Sequence, residues 1–293
     1  MKSNAEDLLL HELLKQVPVP SNQPLGPGDD CAAIRPPSKG QLLLFKTDCV
    51  AEGIHFLRSH DPARVAWKAL CRPLSDIAAM GGTPREALIT FFSPPDIGAD
   101  YWKRFYRGLG RAARRFGVTI AGGEMSRQQQ GIAISIALLG TVSQKNLLRR
   151  SGGRPGDDIF VTGMLGGSLA GHHLDFIPRL SEGRWLAENH PPTAMMDLSD
   201  GLGSDLPRLA RASGCGFEID FEAIPKRRGS TLHAALADGE DYELLLTIPP
   251  RKVPALLAAW PQAFPKTRLT RIGRLSRKKT APPDWPGGWD HFG

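Results

Sequence analysis

Apolar runs alternate with amphipathic segments through the first half of the chain. Helical spacing covers residues 65–80, where Leu70, Leu74 and Ile77 share one face at intervals of three and four. Pro73 lies inside this segment and predicts a kink or a break. Apolar runs of strand length predict four β-strands in this half, at residues 41–50, 86–92, 117–121 and 132–140.

The second half of the chain repeats this alternation. Apolar runs predict strands at residues 158–162, 194–196, 216–221, 242–248 and 268–274. Helical spacing predicts helices near residues 167–174, 203–213, 230–237 and 251–260. This mixture of strands and helices is typical of an α/β or α+β fold.

Charged residues and glycines concentrate at residues 144–155, between two apolar strands. This composition predicts a joint between two domains, residues 1–143 and residues 144–293. A chain of 293 residues also suits two hydrophobic cores better than one. We therefore expect two domains of roughly 150 residues each.

Composition narrows the class of protein. Hydrophobic residues make up 41% and charged residues 23% of the chain, as in ordinary globular proteins. The chain has no apolar run of about 18 residues, so we expect no membrane-spanning helix and no membrane partner. The N-terminus lacks an apolar signal core, and the four cysteines form no CxxC pair. Both observations favour a cytoplasmic protein with reduced thiols.

A basic amphipathic segment follows the second predicted strand. Its apolar face includes Trp102, Phe105, Leu109 and Phe116. Its other face carries the cations Lys103, Arg104, Arg107, Arg111, Arg114 and Arg115. With a net charge of +7 this face favours anionic partners, but no nucleic-acid motif accompanies it. We interpret it as a solvated face and expect no nucleic-acid partner, with a nucleic-acid-binding surface as the alternative.

Carboxylates recur at predicted strand ends and beside glycine turns. They are Asp29, Asp30, Asp48, Asp76, Glu124, Asp197 and Asp200. If gathered together, they would repel one another unless a cation lay among them, and Mg²⁺ prefers such oxygen ligands. Taken singly, each has a structural explanation, since Asp76 could pair with Arg72. Asp200 or Ser204 could cap the helix that follows. The recurrence favours a Mg²⁺ site that also holds a polyphosphate.

The chain lacks the commonest phosphate-binding loop, GxxxxGK[ST], and is therefore not a P-loop enzyme. The glycines that follow the strand at 158–162 do not have GxGxxG spacing, and they could serve close helix packing alone. Arg149, Arg150 and Arg154 are better candidates for phosphate contact, because guanidinium groups match phosphate oxygens.

Eight motifs occur in order along nearly the whole chain. They are GDDCAAI (28–34), TDCVAEGIHF (47–56), LSDIAAMGG (74–82), GGE (122–124), RRSGGRPGDDIFVTG (149–163), DLSDGL (197–202), DGEDYEL (238–244) and WDHF (289–292). As a set they resemble the thiamine-monophosphate kinase family. Several single motifs recur across a wider superfamily, which includes aminoimidazole ribonucleotide synthetase, selenophosphate synthetase and a hydrogenase-maturation protein.

The resemblance implies a two-domain, aminoimidazole ribonucleotide synthetase-like α/β fold whose N-terminal sheets pair in a homodimer. It implies ATP-dependent conversion of thiamine monophosphate to thiamine diphosphate, with ATP as co-substrate and several Mg²⁺ ions. A phosphate acceptor has a second pKa of about 6, so it arrives mostly deprotonated and needs no catalytic base. We therefore expect direct in-line transfer between phosphates, without a phosphoenzyme.

Site residues are carried over motif by motif. The resemblance implies metal ligands at Asp30, Thr47, Asp48, Asp76, Glu124, Asp197 and Asp200. It implies nucleotide contacts at Gly123, Arg150 and Ser199. It implies substrate contacts at His55, Glu240 and Trp289. The carboxylates expected to act electrostatically, with no side chain acting as acid or base, are Asp48, Asp76 and Asp200.

Four positions depart from the family pattern. Glu124 replaces an aspartate and adds a methylene, and Met125 replaces a threonine beside it. Asp238 replaces a glycine, and Lys46 stands where a small hydroxyl residue is usual. Two alternative functions therefore remain besides the kinase activity. One is another ATP-using enzyme of the same superfamily, and the other is a catalytically inactive nucleotide-binding paralogue.

Overall fold

Two five-stranded sheets organise the protein in the computed structural model, which describes residues 30–34, 40–278, 285 and 287–289. Asp29 and the last three residues of the WDHF motif lie outside the described residues. The first sheet has the order β1-β2-β5-β3-β4. Its strands are β1 (Ala32–Ile34), β2 (Gln41–Ala51), β3 (Thr83–Ser93), β4 (Thr119–Arg127) and β5 (Ala133–Ser143). Neighbours are antiparallel except β3 and β4, which are parallel.

Two long helices, α1 (Pro62–Ala79) and α2 (Ala99–Phe116), pack with one face of this sheet in a single core. Helix α1 begins at Asp61, whose side chain accepts a hydrogen bond from the backbone of Ala63. Almost every residue of α1 is buried, and the helix runs through Pro73 without the predicted break. This burial places the later turns of α1 between the two sheets.

The opposite face of the first sheet is apolar and open. Alternate residues of a strand point to opposite faces, and the inward set of β2 and β5 is buried while the outward set is more exposed. Large exposed side chains on this face are Phe45 of β2 and Leu88 and Phe92 of β3, which are 37–52% exposed. Such a patch on a sheet face is unusual for a monomer.

The second sheet has the order β7-β9-β6-β10-β8 and is antiparallel throughout. Its strands are β6 (Asp158–Thr162), β7 (Ala194–Asp197), β8 (Gly216–Ile219), β9 (Leu244–Ile248) and β10 (Leu269–Ser276). The helices of this half are α3 (Leu180–Asn189), α4 (Leu202–Ala212), α5 (Leu232–Ala237) and α6 (Val253–Ala263). Ile159 and Val161 pack on α4 and α5, whereas Phe160 packs on the side of α3 and α6. Both faces of this sheet are therefore covered, and the predicted mixture of strands and helices is confirmed.

The predicted helix near residues 167–174 is wrong. Two short 3-10 turns, Ser168–Ala170 and His172–Leu174, occupy this segment. Gly167 and Gly171 have φ values of 67° and 119°, so the backbone leaves the right-handed helical region on either side of the first turn. The sequence pattern also did not predict α3. This helix packs closely on α1, since a Cβ added to Gly183 of α3 would lie 2.1 Å from the carbonyl oxygen of Ala78 of α1.

No helix in the part of the chain that the structure describes is long and apolar enough to cross a membrane. The domain limits at residues 1–143 and 144–293 stay a prediction.

Candidate active site

A pocket that is partly open to solvent lies between α1, the turn after β2, and the loops that follow β7 and precede β9. It is lined by Ile54, His55, Arg72, Leu169, Ser199, Asp200, Asp238, Glu240, Tyr242 and Trp289. All three predicted substrate contacts, His55, Glu240 and Trp289, line this one pocket. Ser199 and Asp200, predicted to contact nucleotide and metal, line it too.

Four polar atoms of residues that line this pocket are buried without a hydrogen-bond partner among the described residues. They are Nε and Nη1 of Arg72, Oε1 of Glu240 and the hydroxyl of Tyr242. Nη1 of Arg72 and Oε1 of Glu240 lie 3.8 Å apart, which is too long for a hydrogen bond. Buried polar groups are usually satisfied, so these atoms suit a ligand that brings its own donors and acceptors.

Three buried carboxylates meet next to this pocket. One oxygen from each of Asp30, Asp76 and Asp197 lies within 4.8 Å of the other two. Asp30 precedes β1, Asp76 is in the last turn of α1, and Asp197 ends β7. A buried set of hard oxygen donors from three separate elements fits a Mg²⁺ ion.

Burial and mutual repulsion act on these carboxylates in the metal-free protein. Burial, together with the charge of Asp30, raises the pKa of Asp197 to about 7. Burial also raises the pKa of Asp76 well above its ordinary value, and Asp197 and Asp48 add to this although Lys46 opposes it. A bound cation would replace the protons that these groups otherwise retain.

Asp48 lies beside the cluster and pairs with cations of its own chain. Its carboxylate is 3.4 Å from Nη2 of Arg72 and 3.9 Å from Nζ of Lys46. Burial would raise the pKa of Asp48, but Lys46 and Arg72 lower it. Lys46 is closer still to Asp76, at 2.9 Å from Oδ1, so the suggested Asp76–Arg72 pair is replaced by Asp76–Lys46.

Thr47 points away from these groups. Lys46 and Asp48 face α1, so the residue between them must face the opposite side of the strand. The Thr47 hydroxyl lies 3.4 Å from the hydroxyl of Ser135 on the open face of the sheet. The structure therefore does not bring the Thr47 side chain to the carboxylate cluster.

Arg150 contacts the cluster directly. Its guanidinium donates to both oxygens of Asp30, with Nε–Oδ2 at 3.1 Å and Nη2–Oδ1 at 2.8 Å. Burial alone would lower the pKa of Arg150, but the charge of Asp30 raises it above its ordinary value. Arg150, a predicted nucleotide contact, thus also orients Asp30, a predicted metal ligand.

The loop after β7 links the cluster to the pocket. Asp200 pairs with Arg208, and its backbone nitrogen donates to Asp205 at 3.0 Å. Its carbonyl accepts from the backbone of Trp289 at 2.9 Å, which ties the C-terminal segment to this loop. Gly201, not Asp200, is the N-cap residue before α4, and no side chain caps the helix. The interpretation of Asp200 as a helix cap is therefore wrong. The loop places Asp197 in the carboxylate cluster and Asp200 in the wall of the adjoining pocket.

A buried lysine that the motifs did not indicate supports the pocket. Nζ of Lys68 donates to the carbonyl of His55 and to Oε2 of Glu240 at 2.7 Å, and it contacts Nδ1 of His173 at 2.8 Å. The Lys68 side chain is fully buried. Three partners from three segments therefore converge on one ammonium group.

This network fixes the charge state of Glu240. Burial would raise the pKa of Glu240, but the close contact with His173 and the charge of Lys68 lower it to about 2. Burial lowers the pKa of Lys68 to about 8 although Glu240 opposes this. The pair is therefore ionised at neutral pH. Glu240 also has a left-handed backbone with φ of 54°, a strained conformation that the contacts must maintain.

One sequence signal could have found Lys68. Lys68, Arg72 and Asp76 are spaced by four on α1, so they form a charged stripe on a helix whose other residues are largely apolar. A charged stripe inside a buried helix indicates a site, because unpaired charges are rarely buried.

Gly123 and Glu124 lie apart from the cluster in a single chain. Glu124 pairs with Thr90, Thr90 with Ser135, and Ser135 with Cys49, so Glu124 is three strand spacings, about 14 Å, from β2. Its carboxylate accepts from the backbone nitrogen of Met125 at 3.0 Å. Its role as a metal ligand stays a prediction, as does the nucleotide contact of Gly123.

Comparison with known proteins agrees with this architecture. The family model described as AIR synthase related protein, N-terminal domain, matches residues 28–142, and the model for the C-terminal domain matches residues 154–281. The solved structure described as AaThiL complexed with AMPPCP and TMP superposes with a TM-score of 0.78 at 30% identity and full coverage of both chains. The structure of thiamine monophosphate kinase from Aquifex aeolicus gives a TM-score of 0.74 at 31% identity, covering 96% of this chain and 100% of the other.

Curated sequences give the same result. Thiamine-monophosphate kinase from Rhodopirellula baltica is 36% identical over 266 residues, covering 85% of this chain and 83% of its own. The protein of the same name from Aquifex aeolicus is 35% identical over 297 residues, covering 90% and 92%. The resemblance of the motifs is thereby confirmed, and this chain belongs to the thiamine-monophosphate kinase family.

Proposed function

We propose that this protein transfers the γ-phosphate of ATP to thiamine monophosphate and releases thiamine diphosphate and ADP. The observation that carries the proposal is the loop after β7, which places Asp197 in the carboxylate cluster and Asp200 in the adjoining pocket. A metal-bound polyphosphate and a small acceptor would meet at this loop. The relative whose structure is described with AMPPCP and TMP binds an ATP analogue and TMP together, which supports the same pairing here.

Asp30, Asp76 and Asp197 would hold Mg²⁺, with Asp48 and Asp200 beside them. When bound, the ion would neutralise charge on the transferring phosphoryl oxygens. Arg150 orients Asp30 through two hydrogen bonds, so this ligand is held before any ion arrives. Gly123 and Ser199 are proposed to contact the nucleotide.

The pocket suits a cationic ring with a phosphate. Glu240 is ionised, and its Oε1 atom has no hydrogen-bond partner among the described residues. Trp289 presents an aromatic side chain that is 47% exposed, on which a thiazolium ring can stack. His55 is held in the wall by its own turn, since its Nδ1 accepts from the backbone of Ala51 at 3.1 Å. Charge attraction and stacking together would orient the acceptor.

The protein needs to supply little acid–base chemistry. A phosphate monoester is mostly dianionic at neutral pH, because its second pKa is about 6. What it needs is alignment with the γ-phosphate and relief from charge repulsion. We therefore propose direct in-line transfer without a phosphoenzyme.

Release of ADP tests this proposal. Purified protein with ATP, Mg²⁺ and thiamine monophosphate should release ADP and form thiamine diphosphate in equal amounts. Thiamine, which lacks the acceptor phosphate, should give no turnover. Nucleotide binding without turnover would instead identify an inactive paralogue, and ADP release without thiamine diphosphate would identify another superfamily activity.

We further propose that the protein acts in the cytoplasm as a homodimer through the open face of the first sheet. Phe45, Leu88 and Phe92 are 47%, 52% and 37% exposed on that face, and dimerisation would bury them. A homodimer would bring the partner's β4 close to this chain, which is where Gly123 and Glu124 could reach a shared site.

Light scattering tests the dimer. We expect a mass twice that of the 31.9 kDa chain for the wild type, and the monomer mass for Leu88→Glu. Tyr106→Glu is the matched control, because Tyr106 is 45% exposed on α2, away from the sheet face. A monomeric wild type, or a dimer that persists in Leu88→Glu, would contradict the proposed interface.

A further inference from the structure

Lys46 places a cation of the chain itself among the carboxylates of the candidate metal site. Its ammonium lies 2.9 Å from Oδ1 of Asp76 and 3.9 Å from Oδ2 of Asp48. Asp76 is also one of the three carboxylates that converge within 4.8 Å. The lysine therefore shares a ligand with the site where a divalent ion would bind.

The charges around the cluster are already largely balanced. Four carboxylates, Asp30, Asp48, Asp76 and Asp197, face the ammonium of Lys46 and the guanidinium groups of Arg72 and Arg150. Arg150 is committed to Asp30, and Arg72 and Lys46 share Asp48. These charges sum to minus one, so one divalent cation leaves a charge of plus one, whereas two would leave plus three in a buried site.

We propose that Lys46 occupies the place of a divalent cation between Asp48 and Asp76, so that the nucleotide-free chain holds one ion, at Asp30, Asp76 and Asp197. This rests on the proposed function in one respect, the identification of the carboxylate cluster as a metal site. An ammonium and a divalent ion that share the Asp48–Asp76 pair would repel each other at short range. The ammonium also occupies one of the two carboxylate oxygens of Asp76.

The geometry favours this role over a flexible surface lysine. Lys46 extends from the middle of β2 toward α1, and its side chain is 24% exposed, whereas that of its partner Asp76 is 7% exposed. A permanent charge held by two carboxylates resembles a bound ion more than a solvated side chain.

Direct counting of bound Mn²⁺ tests the inference without substrate or turnover. Equilibrium dialysis of the nucleotide-free wild type should give about one tightly bound Mn²⁺ per chain. Lys46→Ser should bind about one more ion per chain, because the Asp48–Asp76 pair becomes available. Lys145→Ser removes the same charge from an exposed position and should match the wild type.

Several outcomes would overturn the inference. Two or more tight Mn²⁺ ions on the wild type would show that Lys46 excludes none, and this measurement does not depend on how any variant folds. Equal stoichiometry in the wild type and in folded Lys46→Ser would have the same meaning. Failure of the kinase assay alone would leave the ion count intact, so the two proposals fail separately.

Discussion

Asp76→Asn is expected to lower turnover by about a thousandfold or more, while the metal-free protein stays as stable as the wild type or becomes more stable. Asp76 joins Asp30 and Asp197 in the cluster, so an amide removes a metal ligand. In the absence of metal, the same change removes a carboxylate whose pKa is raised by burial and by its neighbours. A raised carboxyl pKa means that the fold disfavours the ionised form, so its loss relieves repulsion.

Asp48→Asn should lose activity to a similar extent but should change stability in the opposite direction. Lys46 and Arg72 lower the pKa of Asp48 against the effect of burial, so the fold stabilises its ionised form. Replacing it leaves Arg72 buried with a weaker partner, at a cost of about 2 kcal/mol or more. The two neighbouring aspartates are thus distinguished by the sign of the change in stability.

Urea unfolding in EDTA and in excess Mg²⁺, together with ADP release at saturating Mg²⁺, measures both effects. Asp100→Asn is the control, because Asp100 is 92% exposed on α2 and should change neither quantity. Near-normal turnover of Asp76→Asn would remove Asp76 from the ligand set. A stabilised Asp48→Asn would show that Asp48 is repelled rather than paired.

The sequence predicted the convergence of the carboxylates better than their individual roles. Asp30, Asp76 and Asp197 are far apart along the chain, yet each sits next to a glycine turn or an element end, and they meet in the structure. Element ends are where a fold gathers side chains for function, so this part was predictable. Which carboxylate binds an ion and which pairs with an arginine depends on packing between elements, and no local pattern encodes that.

Some of the incorrect predictions could have been avoided from the sequence, and others could not. The opposite directions of Thr47 and Asp48 follow from the alternation of a strand and could have been read from β2. The failed helix at residues 167–174 reflects Gly167 and Gly171, whose left-handed backbones flank the first short turn. The preceding Gly166 is also left-handed and packs on α5, where an added Cβ would lie 2.5 Å from the backbone nitrogen of Ala235, a contact between distant segments. Glu124 lies on the far strand of the sheet, so its assignment as a metal ligand stays a prediction.

Lys68→Met is expected to reduce stability by about 3–5 kcal/mol and to raise the KM for thiamine monophosphate more than the KM for ATP. The variant leaves Glu240 buried with His173 and without its main cation. Glu240 must then move or take up a proton, and the strained backbone at this residue loses a contact that holds it. Lys103→Met, on the exposed face of α2, is the matched control and should resemble the wild type.

The double variant Lys68→Met/Glu240→Gln separates the ion pair from simple packing. It should be more stable than Lys68→Met alone, because no unpaired carboxylate remains buried, and a less stable double variant would contradict the pairing.

The pH dependence of stability gives an independent check of the charge on Glu240. The pKa of Glu240 is lowered to about 2, so its contribution to the free energy of unfolding is present above its ordinary value of 4.5 and is lost as the pH falls below it. The stability advantage of the wild type over Glu240→Gln should therefore shrink by about 1 kcal/mol between pH 5 and about pH 3.5. A constant difference over that range would mean that Glu240 is not held in its ionised form, and the attraction proposed for a cationic acceptor would lose its source.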